Sequence, residues 1–345
     1  MTKVNVLVAM SGGVDSSVAA ALLLDAGHEV TGVTLRLWGG NTDSGCCSVS
    51  DVEDARRVAA QLDVPHYVFN LAEHFNERVV APYVEGYAAG RTPNPCVECN
   101  RSIKFGVLLG RAAALGFDAV ATGHHARVQS DLDGGFRLLR GVDMAKDQSY
   151  VLYMLGQSEL AQVMLPVGEL TKAEVRAHAA RLGLRTAAKP ESMDVCFVAR
   201  DERHQFLDER APGRPGHVVD VHGELLAEHD GVSHFTIGQR RGLGVAAGER
   251  RYVVDVDAAS ATVTIGRRAD LLRSEIPVRD VTWVRSPVDG EREVEVQMRA
   301  HGQPVRGRVV APDRVVLNTA QPRVAPGQVV AFYDDEVLVG GGIAA

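Results

Sequence analysis

No stretch of 18 or more apolar residues occurs in the 345-residue chain, so nothing in it reads as a membrane-spanning helix. An apolar leader is missing too: Met1-Thr2-Lys3 runs directly into a strand pattern, and a cytoplasmic protein is expected. Cysteine is scarce and odd in number, with Cys46, Cys47, Cys96, Cys99 and Cys196. In a reducing compartment that points to chemistry or metal more than to a disulfide scaffold. Basic charge is not in excess either. With a formal net charge of −7 the chain has no general attraction to nucleic acid, so an RNA substrate must find a local basic patch. No repeat, low-complexity tract or heptad is visible, and 46% hydrophobic with 23% charged residues suits a globular chain of two or three domains.

What is present centres on Ala9-Met10-Ser11-Gly12-Gly13-Val14-Asp15-Ser16-Ser17. Before it, Val4 to Ala9 is short and Val-rich, as in a buried parallel strand; after it, Ser16 to Leu24 is Ala- and Leu-rich, as in a helix. A strand-to-helix junction presents unpartnered N–H groups at the positive end of the helix dipole, which suits a phosphate. Gly12 and Gly13 permit close backbone approach, and Ser11, Ser16 and Ser17 offer hydroxyls. Asp15 would repel an anion unless it caps the helix or bridges through Mg²⁺, which points to a metal–nucleotide complex. The Lys of G-x-x-x-x-G-K-[ST] is missing. The motif resembles the signature of the ATP pyrophosphatases, which release the β- and γ-phosphates together while AMP goes onto a substrate oxygen.

Further along, Glu29 to Leu37 and His66 to Asn70 read as strands and Asp51 to Leu62 as a helix, the period of a doubly wound sheet. The end of the second strand, near Leu35, is a candidate adenine contact, with a core leucine as the plainer reading. Cys46-Cys47 reads as incidental or as part of a substrate-side loop. Thr92-Pro93-Asn94-Pro95 fixes an extended loop carrying Cys96-Val97-Glu98-Cys99 ahead of a helix from Arg101 to Leu115. There the helix terminus and Arg101 or Lys104 would favour thiolate, while a zinc half-site and a structural thiol pair stay open. Asp118 to Thr122 reads as a fourth strand, with Gly123-His124-His125 at its ligand end, and Arg127 to Arg140 as a hairpin. The polar cluster Ala145 to Tyr150 suits sugar-phosphate contacts or a capped helix start. Thr171-Lys172-Ala173-Glu174 is a capping box, and Cys196 sits in an apolar, strand-like segment.

From Arg200 the pattern turns to short strands and glycine turns: His217 to Asp220, Val232 to Gly238, Tyr252 to Val256 and Ala261 to Ile265. Here lies the densest basic grouping, Arg240, Arg241, Arg250, Arg251, Arg267 and Arg268, a candidate RNA surface or a solvated face. Alternation in Val294 to Arg299, Val305 to Val310 and Val315 to Asn318 predicts a closed antiparallel barrel or sandwich.

Together these segments resemble the bacterial tRNA-specific 2-thiouridylases nearly from end to end. The resemblance rests on Ser11 to Ser17, Thr92 to Pro95, Cys99-Asn100, Ala121 to His124, Lys146 to Tyr150, Cys196-Phe197 and Phe235 to Gly244. It implies an α/β fold: a doubly wound parallel sheet with the phosphate loop (1–199), a small β-rich middle domain (200–274) and a C-terminal antiparallel β-barrel (275–345). It also implies ATP- and Mg²⁺-dependent replacement of O2 of the wobble uridine of tRNA by sulfur. On that resemblance Ala9 to Ser16, Leu35 and Gly123 hold ATP. Cys196 carries a persulfide from a donor such as a cysteine desulfurase or relay protein, and Cys99 resolves it as a disulfide. Asn94, Pro95 and Cys96 line the pocket for a base drawn from the anticodon stack. His124, Lys146, Asp147, Gln148, Arg299 and Gln328 match tRNA contacts in the anticodon region. A monomer is expected.

This chain departs from the family at Cys96, where some members have Asp; at His125, where many have Tyr; and at Arg299-Ala300, where many have Arg-Tyr. Cys96, Cys99 and Cys196 also match the ligand set of related sulfur-transfer enzymes holding a 4Fe-4S cluster, an alternative to the persulfide. Two other readings are a synthetase amidating a small molecule and a non-catalytic RNA-binding module with zinc at Cys96 and Cys99.

Overall fold

The computed structural model describes residues 3–38, 49–190, 195–198, 202–245, 248–288, 290–300 and 302–345; Cys46 and Cys47 lie outside them. The first unit contains β1 (Asn5–Ala9), β2 (Glu29–Arg36), β3 (His66–Asn70), β4 (Ala119–Ala121), the hairpin β5 (Ala126–Ser130) and β6 (Phe136–Arg140), and β7 (Val163–Met164). Its parallel sheet runs β3-β2-β1-β4-β7. Successive residues of β1 feed opposite faces: Val6 and Val8 pack with helix α1 (Val14–Asp25) and α2 (Val49–Gln61), while Leu7 packs with the helical stretches 72–88 and 95–114. Both faces are therefore covered, as the apolar strands require. Chain order reverses beside β1, with β2 on one side and β4 on the other, so a crevice opens at the carboxyl ends of β1 and β4.

The middle unit is a sheet of order β10-β11-β8-β9, from β8 (Gly216–Asp220), β9 (Leu225–His229), β10 (Tyr252–Asp257) and β11 (Thr262–Gly266). The strand expected at Val232 to Gly238 is instead a 3-10 turn, Val232–His234, and a loop. Its alternation reflects Phe235 and Ile237 entering two different cores, and Gly238 at φ +84° turns the chain.

The C-terminal unit is a closed antiparallel barrel: β12 (Leu272–Trp283), β13 (Glu291–Gln297), β14 (Val305–Val310), β15 (Arg314–Pro322), β16 (Val329–Asp334) and β17 (Val337–Ala344). Closure pairs Thr282 with Gly341 and Trp283 with Gly340. Gly340 is needed there, because a Cβ would lie 2.6 Å from the Thr282 carbonyl oxygen. The barrel is stitched to the first unit: β6 pairs with β17 through Leu138–Leu338 and Leu139–Val337, so the β5–β6 hairpin extends the barrel sheet.

Candidate active site at the phosphate loop

The loop occupies the crevice at the switch point. Ala9 ends β1 opposite Val33, and the buried Met10 is held by its N–H to Val33 O at 2.8 Å and by the Thr34 hydroxyl on its carbonyl at 2.8 Å. Gly13 is the N-cap of α1 and brings no side chain to cap it, leaving the first-turn N–H groups to a ligand. The expected hydroxyl donors shape the loop itself. Ser16 Oγ accepts from Ser11 N at 3.1 Å and donates to Gly13 O at 3.2 Å, and Ser17 Oγ donates to Gly13 O at 2.8 Å. Two glycines are explained by packing against protein. At Gly12, φ +72°, a Cβ would lie 2.3 Å from Asp51 O; at Gly123 it would lie 2.6 Å from Ser16 N. Gly123 thus lets the end of β4 touch the start of α1. Val14 enters the core beneath the loop, and Leu35 is buried at the end of β2.

Asp15 sits in the first turn of α1 and is gripped from two directions. Lys172 Nζ donates to both carboxylate oxygens, at 2.7 and 2.6 Å, and His125 Nε2 lies 3.1 Å from Oδ1. Burial pushes the Asp15 carboxyl up, but the His125 and Lys172 contacts outweigh it and hold the group below the usual carboxylate range. On the other side of the loop, Lys189 Nζ donates to Gly12 O at 3.0 Å, Asp51 Oδ1 at 2.8 Å and Asp54 Oδ2 at 2.6 Å. Its burial favours the neutral form, yet the two carboxylates raise its pKa. Neither lysine was singled out from sequence. The available signal was Lys172 at the first position of a helix, where a cation opposes the dipole.

The Cys-x-x-Cys segment differs from the expected loop. Pro95 starts the helix, as proline can at a first position, and the Asn94 side chain caps it by accepting from Cys96 N at 3.0 Å. Pro95 is buried. Cys96 is half-buried against the cluster of Phe105, Val151 and Tyr153, whereas Cys99 is buried in the cluster of Leu71, Phe75 and Phe197. Cys196 is half-buried against that second cluster, in a turn and not the expected strand. The nearby cations have partners elsewhere: Arg101 pairs with Glu98 at 2.7 Å and Tyr153 Oη at 2.9 Å, and Lys104 Nζ is 3.4 Å from His124 Nε2.

The donor set suits ATP with its Mg²⁺: an uncapped helix start, flanking lysines and one carboxylate. Cys96 packs against a different apolar cluster from Cys99 and Cys196, and among the described residues no three Cys, His, Asp or Glu are grouped to hold a metal ion.

Of the residues matched to tRNA contacts, several are internal. His124 is buried with Nδ1 2.7 Å from Thr122 Oγ1, and burial drives its pKa well below the ordinary value, so it is neutral. Asp147 is buried and receives Arg140 Nη1 at 2.9 Å, the N–H groups of Gly141 and Ser149, and the Ser149 hydroxyl. Gln148 Oε1 accepts from His125 N at 3.0 Å, and Lys146 is half-buried beside it. Arg299 and Gln328 line a cleft of about 1080 Å³ bounded by Thr92 and by the Phe235 to Gly244 segment. Four arginines line it, Arg203, Arg241, Arg299 and Arg323, against the carboxylates of Glu228 and Asp230. Gln328 also clasps the units together, its amide donating to Thr92 O at 2.6 Å while Thr92 N donates to Pro326 O at 2.7 Å. Outside the cleft, Arg251 and Arg267 share Glu249.

Among the described residues no helix is long and apolar enough to cross a membrane. Residues 4–200 match the family described as tRNA methyl transferase HUP domain, 204–267 its PRC-barrel domain, and 273–344 the aminomethyltransferase beta-barrel domain. Proteins named tRNA-specific 2-thiouridylase MnmA are similar throughout. That of Roseiflexus castenholzii is 48% identical, with 98% of each chain covered. The Chloroflexus aurantiacus protein is 48% identical over 98% of this chain and 97% of its own, and the Mycobacteroides abscessus protein 51% identical over 96% and 97%. Matched at that identity along nearly its whole length, the chain belongs to the tRNA-specific 2-thiouridylase family.

Proposed function

We infer that this protein is an ATP-dependent tRNA-uridine 2-sulfurtransferase acting on the wobble uridine. The observation that carries the reading is the joint placement of an uncapped phosphate loop at the β1/β4 crevice and two thiols, Cys99 and Cys196, on one apolar cluster of the same domain. A pyrimidine carbonyl oxygen is a poor leaving group, so it is first adenylated. ATP is bound by the loop Ala9 to Ser16 with Gly123 behind it and the strand end at Leu35 beside the base. Asp15 is the carboxylate that would hold Mg²⁺, which would supply positive charge to the phosphates.

Sulfur then arrives as a persulfide on Cys196, loaded by a donor protein. Its terminal sulfur bonds to C2, and the C2–O bond breaks with its electron pair leaving on AMP. Cys99 thiolate attacks Cys196 Sγ, the S–S bond of the persulfide breaks, and that pair stays on the uridine sulfur. The resulting Cys99–Cys196 disulfide is reopened by a thiol reductant. Asn94, Pro95 and Cys96 border the base pocket. The arginine-lined cleft with Arg299 and Gln328, and the loop of Lys146, Asp147 and Gln148 shaped around His124, receive tRNA. Units 1–199, 200–274 and 275–345 divide catalysis from docking in a cytoplasmic monomer.

The test is incubation of purified protein with labelled ATP, unmodified tRNA and a persulfide donor. AMP release that depends on tRNA, with 2-thiouridine formed by wild type and not by Cys196→Ser, supports the reading. AMP release driven by a small acid would replace it with a synthetase.

A further inference from the structure

The phosphate loop lacks the lysine that other phosphate loops place on the β- and γ-phosphates, and its one charged residue, Asp15, has the wrong sign for an anion. The fold corrects both. Lys172, 157 residues away in sequence, brings Nζ within 2.7 Å of both Asp15 oxygens, and its side chain is only 13% exposed. Its reach is set from its own backbone: Lys172 opens the helix Lys172–Arg181, its N–H donates to Asp143 Oδ2 at 2.9 Å, and the preceding Thr171 forms a reciprocal cap with Glu174. A cation at the first position of a helix opposes the helix dipole, and here the Asp15 carboxylate compensates it and aims it at the phosphate loop. Lys189 serves the opposite side of the loop, where Asp51 and Asp54 hold it against the Gly12 carbonyl.

Resting on the ATP-dependent reading above, we propose that Lys172 is the catalytic cation of the adenylation step. It neutralises Asp15 in the free site and binds the pyrophosphate end of ATP in the loaded one. As the uridine O2 lone pair bonds to the α-phosphorus, the bond from that phosphorus to the bridging oxygen breaks. The pair leaves on pyrophosphate and the N3 proton passes to solvent. The ammonium of Lys172 meets the charge gained by the leaving group, a role whose loss typically costs about 100- to 1000-fold in rate.

The experiment compares wild type, Lys172→Met and Lys172→Arg by calorimetric binding of Mg·pyrophosphate alone and by single-turnover AMP formation on tRNA. Lys172→Met is expected to weaken pyrophosphate binding at least 10-fold and AMP formation about 100-fold, with Lys172→Arg recovering most of the binding. Pyrophosphate binding by Lys172→Met within twofold of wild type overturns the proposal. So does a Lys172→Arg protein no better than Lys172→Met. Should Lys172→Met fail to fold, ¹³C-lysine wild type titrated with Mg·pyrophosphate decides the matter: the Lys172 Cε signal, assigned with Lys172→Arg, must shift, and a stationary signal overturns the proposal. Wild type that binds pyrophosphate yet shows no tRNA-dependent AMP would instead overturn the thiolation reading and leave Lys172 a phosphate ligand.

Discussion

Arg140 and Asp147 form an ion pair 2.9 Å long, with side chains only 6% and 3% exposed, beneath the loop that carries Lys146 and Gln148. The Arg140 guanidinium also donates to Gln297 Oε1 at 2.6 Å and lies 3.4 Å from the Tyr333 ring centre, so one cation ties a catalytic-domain loop to two barrel strands. Gln297 in turn donates to the carbonyls of Arg299 and Ala300. The network joins the edge of the arginine-lined cleft to the Asp147–Gln148 turn, and Gln148 holds His125, which holds Asp15.

Removing one member of a buried pair strands the other charge. Arg140→Met is therefore expected to lose about 3–5 kcal/mol in urea unfolding, and Arg140→Met with Asp147→Asn to lose less than Arg140→Met alone. Equal losses in the two proteins would show that Asp147 is not the stranded group.

Gly123→Ala pushes a methyl to within 2.6 Å of Ser16 N, where the end of β4 meets the start of α1. ATP affinity measured by calorimetry should fall by at least about 10-fold, while tRNA affinity in a filter assay stays close to wild type.

Gln328→Leu removes the amide that holds Thr92 O and should loosen the clasp between barrel and Thr92-Pro93 loop. The expectation is about a 10-fold rise in the tRNA concentration needed for half-maximal AMP release, corresponding to roughly 1.4 kcal/mol, with the Kd for ATP unchanged.

Cys99→Ser separates the two half-reactions. Adenylation uses neither thiol, so single-turnover AMP formation should stay within about threefold of wild type. 2-Thiouridine, read by nucleoside mass spectrometry, should drop at least about 100-fold.

His124 has a folded-state pKa well below its unfolded value, through burial first and then the Lys104 charge. The unfolded chain takes up a proton near pH 6.5 that the folded protein refuses, so this contribution is fully present above that pH and is lost as the pH falls below it. The loss is up to about 1.4 kcal/mol for each pH unit until the folded pKa is reached. Stability of His124→Asn, measured at pH 7.5 and 5.5, should show a smaller acid-side drop than wild type.

Much of this protein follows from local pattern. The Val-rich run before Ser11-Gly12-Gly13-Val14-Asp15-Ser16 and the Ala-rich run after it determine a strand, a turn and a helix, because period and glycine placement act over a few residues. The alternation of Val294 to Gln297 and Val305 to Val310 determines barrel strands for the same reason. Pattern misleads where two causes give the same trace. Phe235 and Ile237 alternate because they enter different cores, and Pro93 with Pro95 announced a loop although Pro95 begins a helix. Tertiary structure alone decided the charges around the loop. Lys172 and Lys189 reach Asp15 and Gly12 across 157 and 177 residues, and Asp147 turns inward to Arg140. An ion pair depends on where folded backbones deliver two side chains and on how much water they lose there, and no local window of sequence holds either quantity.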